Sequence, residues 1–244
     1  MPATVRLAAG TAQALAALVA EIAGAAPRAL PWLAPALLFA SPGGQRHLAL
    51  PTPGPDELLI HDYQSVAYAS GFPLDAPLAA EAETRGNDRH VTLSANGAPV
   101  ATLTTALRLI RRADLTAARP APFPRRLADN LDWSAPLTAS QDRTDRYLAL
   151  SGDLNPIHRD AALAASLGLP APIVPGLLLA ALVQPAAEAR NITRLTSLKA
   201  RFMAPLTVDA AFRLALQPRG DTGLRAYLAC DTHALALIDL GFAA

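Results

Sequence analysis

Tyr147-Leu148-Ala149-Leu150-Ser151-Gly152-Asp153-Leu154-Asn155-Pro156-Ile157-His158-Arg159-Asp160 is the stretch on which the reading of this chain turns. It sets a carboxylate (Asp153), a carboxamide (Asn155) and an imidazole (His158) within six residues of one another, on a loop stiffened by Pro156. Proline disfavours helical backbone at the residue before it, so Asn155 is expected to be extended. A carboxylate beside an imidazole can share a proton, hold a water and exchange the roles of acid and base. Asp, Asn and Pro are also the ordinary residues of turns, and the spacing alone favours a plain structural turn over a catalytic loop.

On either side of this loop the pattern becomes regular. Upstream, Thr138 with Gln141 three residues later has the form of a capping box before a helix running toward Tyr147. Downstream, Asp160 is a candidate N-cap for a short helix ended by Gly168. A Pro-rich turn then leads into Gly176 to Val183, which is apolar on every side, as in a helix enclosed by other structure. From Ile192 onward the pattern is of strands: Phe212 to Leu216, Arg225 to Cys230 and Ala234 to Leu240, with a turn at Pro218 to Asp221. One enclosed helix followed by consecutive strands implies a sheet wrapped around that helix.

The first half shows the same order. Helices are expected over Gly10 to Ala23 and within Leu33 to Phe39. Strands follow at His61 to Tyr68, Leu78 to Thr84, His90 to Ser94 and Val100 to Ile110, the last two joined by an Asn96-Gly97 hairpin turn. Between the halves, Ala117 to Arg126 has three prolines and little to pack, and reads as an extended connector. The expected division is a first domain over 1–116, a linker over 117–126 and a second domain over 127–244. A local repeat agrees with it: Tyr68 to Leu78 aligns without gaps on Phe202 to Phe212, with Asp75-Ala76 over Asp209-Ala210.

The motif around Asp153 resembles the signature of the MaoC-like, or hydratase 2, family of (R)-specific enoyl-CoA hydratases. Tyr147, Leu150, Ser151, Gly152, Asp153, Asn155, Pro156, Ile157 and His158 match it, and Ala164 matches the small residue that follows. The resemblance continues through Gly168, Pro172-Ile173 and Gly176, and Arg201 to Leu206 resembles the strand that usually comes next. It implies an α+β chain with a double hot-dog fold, each half an antiparallel sheet around a central helix, the first half degenerate and the second catalytic. It also implies roles: Asp153 and His158 as the catalytic pair that activates water, Asn155 orienting them, and the backbone N–H of Gly176 holding the thioester oxygen. The last role has a reason of its own, because the first N–H groups of a helix lack intrahelical partners. Two departures stand out: Pro175 where the family usually has His, and Gln184 where a small or hydroxyl residue is common.

The implied reaction is reversible hydration of a 2-enoyl-CoA to an (R)-3-hydroxyacyl-CoA. No metal or cofactor is expected, coenzyme A or acyl carrier protein being part of the substrate. Two other classes stay open: a non-catalytic thioester-binding partner subunit, and a thioesterase on the same fold. Composition narrows the field. A net charge of +1 with 17% charged residues argues against nucleic acid as partner. No run reaches the ~18 apolar residues of a membrane span. Cys230 is the only cysteine, so no intrachain disulfide forms, and a soluble cytoplasmic protein is the expectation. Cys230 reads as a small buried hydrophobe, and His47, His90 and His233 as isolated from one another and from it. No zinc-site spacing occurs. His61-Asp62-Tyr63 reads as structural, so His61→Ala is expected to leave turnover near normal. Association of double hot dogs into a homo-oligomer is compatible with the resemblance.

Overall fold

A computed structural model describes residues 3–29, 31–40, 42–48, 53–54, 56–69, 72–74, 76–117, 122–192, 194–231 and 233–243. In the first half, β1 (Ala3–Val5) precedes a helix over Thr11–Ala23 and a single helical turn at Ala34–Leu37. Then come β2 (Glu57–Tyr68), β3 (Leu78–Arg85), β4 (Asp88–Ala95) and β5 (Ala98–Arg111). The second half repeats this with β6 (Leu137–Thr138), a helix over Gln141–Ser151, the central helix over Gly176–Ala181 and Val183–Glu188, and then β7 (Leu195–Phe202), β8 (Ala211–Pro218), β9 (Gly223–Ala229) and β10 (Ala234–Phe242).

All ten strands join one sheet in the order β1-β3-β4-β5-β2-β7-β10-β9-β8-β6. From either edge inward, each half lays down its own first, third, fourth, fifth and second strands. The two second strands meet at the centre, with Tyr63 opposite Arg201 and Ala67 opposite Ser197. This mirrored order is the double hot-dog fold, and it gives the sequence repeat a structural meaning. Tyr68 and Phe202 end the two central strands, and Leu78 and Phe212 are the first and second residues of the strands that follow. Asp75 of that repeat lies outside the described residues.

Local chemistry accounts for most boundaries. Asn96 and Gly97 both take positive φ (50° and 79°), the turn that matches strand twist in a two-residue hairpin. The Gln141–Ser151 helix starts differently from the capping box read upstream of it. Ser140 is the cap, its hydroxyl accepting from Arg143 N at 3.3 Å, while Thr138 is spent in β6. The central helix breaks at Leu182, because Pro185 has no N–H to offer the Ala181 carbonyl.

The main apolar core runs through both halves, from Leu15, Leu18 and Leu37 to Leu178, Val183 and Ile238. Of the connector, residues 118–121 lie outside the described residues, while Phe123 packs its ring against Trp133 and Tyr227 of the second half. Cys230 corrects the sequence reading. The β9–β10 turn folds it back onto His233, Sγ to Nδ1 being 3.3 Å, so the pair is neither isolated nor fully buried. No helix among the described residues is long and apolar enough to cross a membrane.

Candidate active site

The Gln141–Ser151 helix ends where Gly152 turns into the left-handed region (φ 69°), a conformation that costs a side-chain-bearing residue about 1 kcal/mol or more. That reversal throws the next residues into a tight loop held by its own side chains. The Asp153 N–H donates to Ser151 Oγ (3.2 Å), and Asp153 Oδ1 accepts from the Asn155 N–H (2.9 Å). Asn155 Oδ1 in turn accepts from the Ile157 N–H (3.3 Å) and caps a 3-10 turn over Pro156–His158. The Asn155 side chain therefore makes its hydrogen bond to the backbone of Ile157, not to the side chain of Asp153 or His158. It orders the pair by shaping the backbone between them.

His158 is 7% exposed, and its Nδ1 lies 2.8 Å from the Ile173 carbonyl. A carbonyl only accepts, so Nδ1 carries the proton and Nε2 of the neutral ring is left bare. Nε2 faces Asp153 Oδ2 at 3.7 Å. Burial lowers the His158 pKa, Asp153 opposes that fall, and Arg159 adds to it. At neutral pH the site thus presents two acceptors, an imidazole nitrogen and a carboxylate, turned toward each other and too far apart to bond directly. Gln141 holds the loop from the helix side, its Nε2 donating to the His158 carbonyl at 3.0 Å.

Ile173, the partner of His158, lies three residues before Gly176, and Val174 N donates to Leu206 O at 2.8 Å, fixing the approach to the central helix. Gly176 is the first residue of that helix, so its N–H has no intrahelical acceptor. A Cβ at Gly176 would lie 2.9 Å from the Phe202 ring, so only glycine lets the ring and the helix end meet.

The first half also reaches the site. Leu58 of β2 is buried against Ile157 and Leu167, with Ile60, Ile110, Leu163 and Ile173 around them. This small cluster, separate from the main core, props the Asp153–His158 loop from the half that lacks the motif. Three residues on, β2 carries a bulge between His61 and Tyr63, and the His61 ring meets the Phe202 ring edge-on at 5.1 Å. His61 Nε2 is 3.1 Å from the Tyr63 carbonyl, burial pushes its pKa down to about 4, and Asp153 is close enough to act on its charge.

The structure therefore brings Asp153 and His158 face to face, gives Asn155 an indirect part, and ties Gly176 to the same segment. Ser151, Gln141 and Ile173 are supporting residues that the motif did not assign. Among the described residues no group of three or more His, Cys, Asp or Glu side chains is placed to hold a metal ion.

Residues 122–230 match the sequence family of MaoC-like domains. No curated protein matches the chain. Among solved structures, HtdX from Mycobacterium tuberculosis has a TM-score of 0.73 at 20% identity, with 98% of each chain covered. A MaoC-like dehydratase from Phytophthora capsici has a TM-score of 0.70 at 16% identity, covering all of this chain and 94% of that one. The full-length peroxisomal multifunctional enzyme type 2 from Drosophila melanogaster aligns with 74% of this chain and 37% of its own, at 21% identity and a TM-score of 0.54. At these identities the likeness is one of fold.

Proposed function

Since residues 122–230 are a MaoC-like domain within a double hot-dog fold, we propose that this protein reversibly hydrates a 2-enoyl thioester to an (R)-3-hydroxyacyl thioester. The observation that carries the reading is the pair of facing acceptors, His158 Nε2 and Asp153 Oδ2, 3.7 Å apart. Two acceptors at that separation are satisfied together by one donor molecule, and water has two O–H bonds to give. A water that donates to both turns its lone pairs outward, toward the substrate.

The steps follow from that placement. The water oxygen attacks C3 and the C2=C3 π bond breaks. The electrons move onto the thioester oxygen, where the Gly176 N–H meets the developing charge. One water proton passes to the pair, a proton from the pair is delivered to C2, and the pair ends as it began. Acid–base catalysis of this kind contributes about 10²–10⁴-fold in rate. The (R) handedness rests on the family resemblance, as does coenzyme A or acyl carrier protein as carrier. No cofactor enters these steps.

Crotonyl-CoA tests the proposal. Loss of the enoyl absorbance without release of free thiol is the expected result, and free thiol would make the protein a thioesterase. Neither change would leave a thioester-binding subunit. Coupling the product to an (S)-specific 3-hydroxyacyl-CoA dehydrogenase should yield no NADH, and a robust signal there would contradict the handedness.

A further inference from the structure

The half without the motif sends one side chain to the edge of the site. A β-bulge adds a residue to one strand, bends it and re-aims its side chains. In β2 it falls between His61 and Tyr63, at the point where pairing with β7 begins. There two contacts hold the imidazole, with the Gln64 side chain a further partner. One nitrogen donates to the Tyr63 carbonyl across the bulge (3.1 Å), and the ring edge packs on Phe202 (5.1 Å). Phe202 is the ring that leaves no room for a Cβ at Gly176. The chain of contact thus runs from the first half through His61 and Phe202 to the helix end proposed to receive the thioester oxygen.

We propose that His61 is a positioning residue of this active site: its ring braces Phe202 over Gly176, and the two rings together limit the access of water to the Asp153–His158 pair. The inference rests on Asp153, His158 and Gly176 being the site, and it reverses the expectation that His61 is merely structural. The charged groups acting on His61 are Asp153 and Asp62, the latter already paired with Arg108 at 2.8 Å. Those acting on His158 are Asp153 and Arg159. Since burial is the main cause of the lowered His158 pKa, water admitted beside Asp153 must raise it.

The test is an NMR titration of His158 in protein labelled at histidine, in the wild type, His61→Ala and His61→Phe, beside crotonyl-CoA kinetics on the same samples. His61→Ala should lower kcat about tenfold or more with a smaller change in KM, and should move the His158 midpoint up toward 6.5. His61→Phe, which keeps a neutral ring against Phe202, should restore both to near wild type. Phe202→Leu removes the braced ring instead, and should shift His158 in the same upward direction if His61→Ala folds poorly. An unchanged His158 midpoint and kcat in folded His61→Ala would overturn the proposal. So would equal damage in His61→Phe and His61→Ala, which would mean that the imidazole's own nitrogens are used. The titration needs no substrate, so a wild type that fails to hydrate crotonyl-CoA would sink the functional reading while the His158 shift still decides the role of His61.

Discussion

At the scale of single residues, the site depends on protonation states set by burial. Asp153→Asn replaces an acceptor by a group that also donates, and His158→Ala removes the bare Nε2. Each should lower kcat by about two orders of magnitude or more, read as crotonyl-CoA turnover of folded protein. Near-normal turnover in either would remove that residue from the mechanism. Gly176→Ala places a methyl group 2.9 Å from the Phe202 ring, so the ring or the helix end must move, and kcat should fall by at least about tenfold. Burial also ties His61 and His158 to stability. Both have folded-state pKa values below that of the unfolded chain, so the unfolded chain binds protons more readily. Their contribution is whole above pH 6.5 and is lost as pH falls; for His61 the loss levels off below about 4. Chemical denaturation across pH 4 to 7 should show that decline, and His61→Phe should flatten part of it.

At the scale of elements, the Asp153–His158 loop is held from both halves. Gly152 starts it by reversing out of the Gln141–Ser151 helix, and Leu58 on β2 closes the apolar cluster beneath Ile157. Leu58→Ala should destabilise the protein by about 2–5 kcal/mol, the range for truncating a buried leucine. The loss should also appear as faster amide exchange through Asn155 to Arg159, since the cluster has few other members. Slower exchange there, or exchange raised equally across the main core, would break the link between that strand and the loop. The central helix carries a second tie. Gln184 Oε1 accepts from Trp32 N (2.9 Å), its Nε2 donates to Ala29 O (3.1 Å), and Glu188 Oε1 accepts from Ala29 N (3.0 Å). The departure from the family pattern at Gln184 is thus a polar seam to the first half, which a smaller residue could not reach across.

At the scale of the whole molecule, the halves share one sheet, one core and that seam. Residues 120–244 expressed alone would expose the edge of β7 that β2 now pairs, along with the Gln184–Glu188 groups. The isolated half should therefore aggregate, or should pair with itself and show an altered chain-length preference. A stable monomer with full activity and unchanged preference would show that the first half has no part in the site. Gln184→Leu in the full chain is the milder version. It strands the Trp32 N–H in a buried place and should cost about 1–3 kcal/mol in denaturant unfolding without changing the hydration rate at saturating substrate.

The sequence by itself determined the parts whose causes are local. Alternating and enclosed apolar runs marked the strands and the central helix, Asn96-Gly97 marked its turn, and Tyr147 to His158 marked the motif. The repeated element order, with Tyr68 to Leu78 against Phe202 to Phe212, already implied two copies of one fold. Only the tertiary structure decided what depends on residues far apart in the chain. It set the Nδ1 tautomer of His158 through Ile173, which lies 15 residues away. It brought Leu58 under Ile157 and His61 against Phe202, pairs separated by about a hundred residues or more, for which no periodicity or spacing carries a signal. It also reassigned the helix cap to Ser140 and left Gln141 to hold the His158 carbonyl, because a side chain's partner is chosen by what folding places beside it.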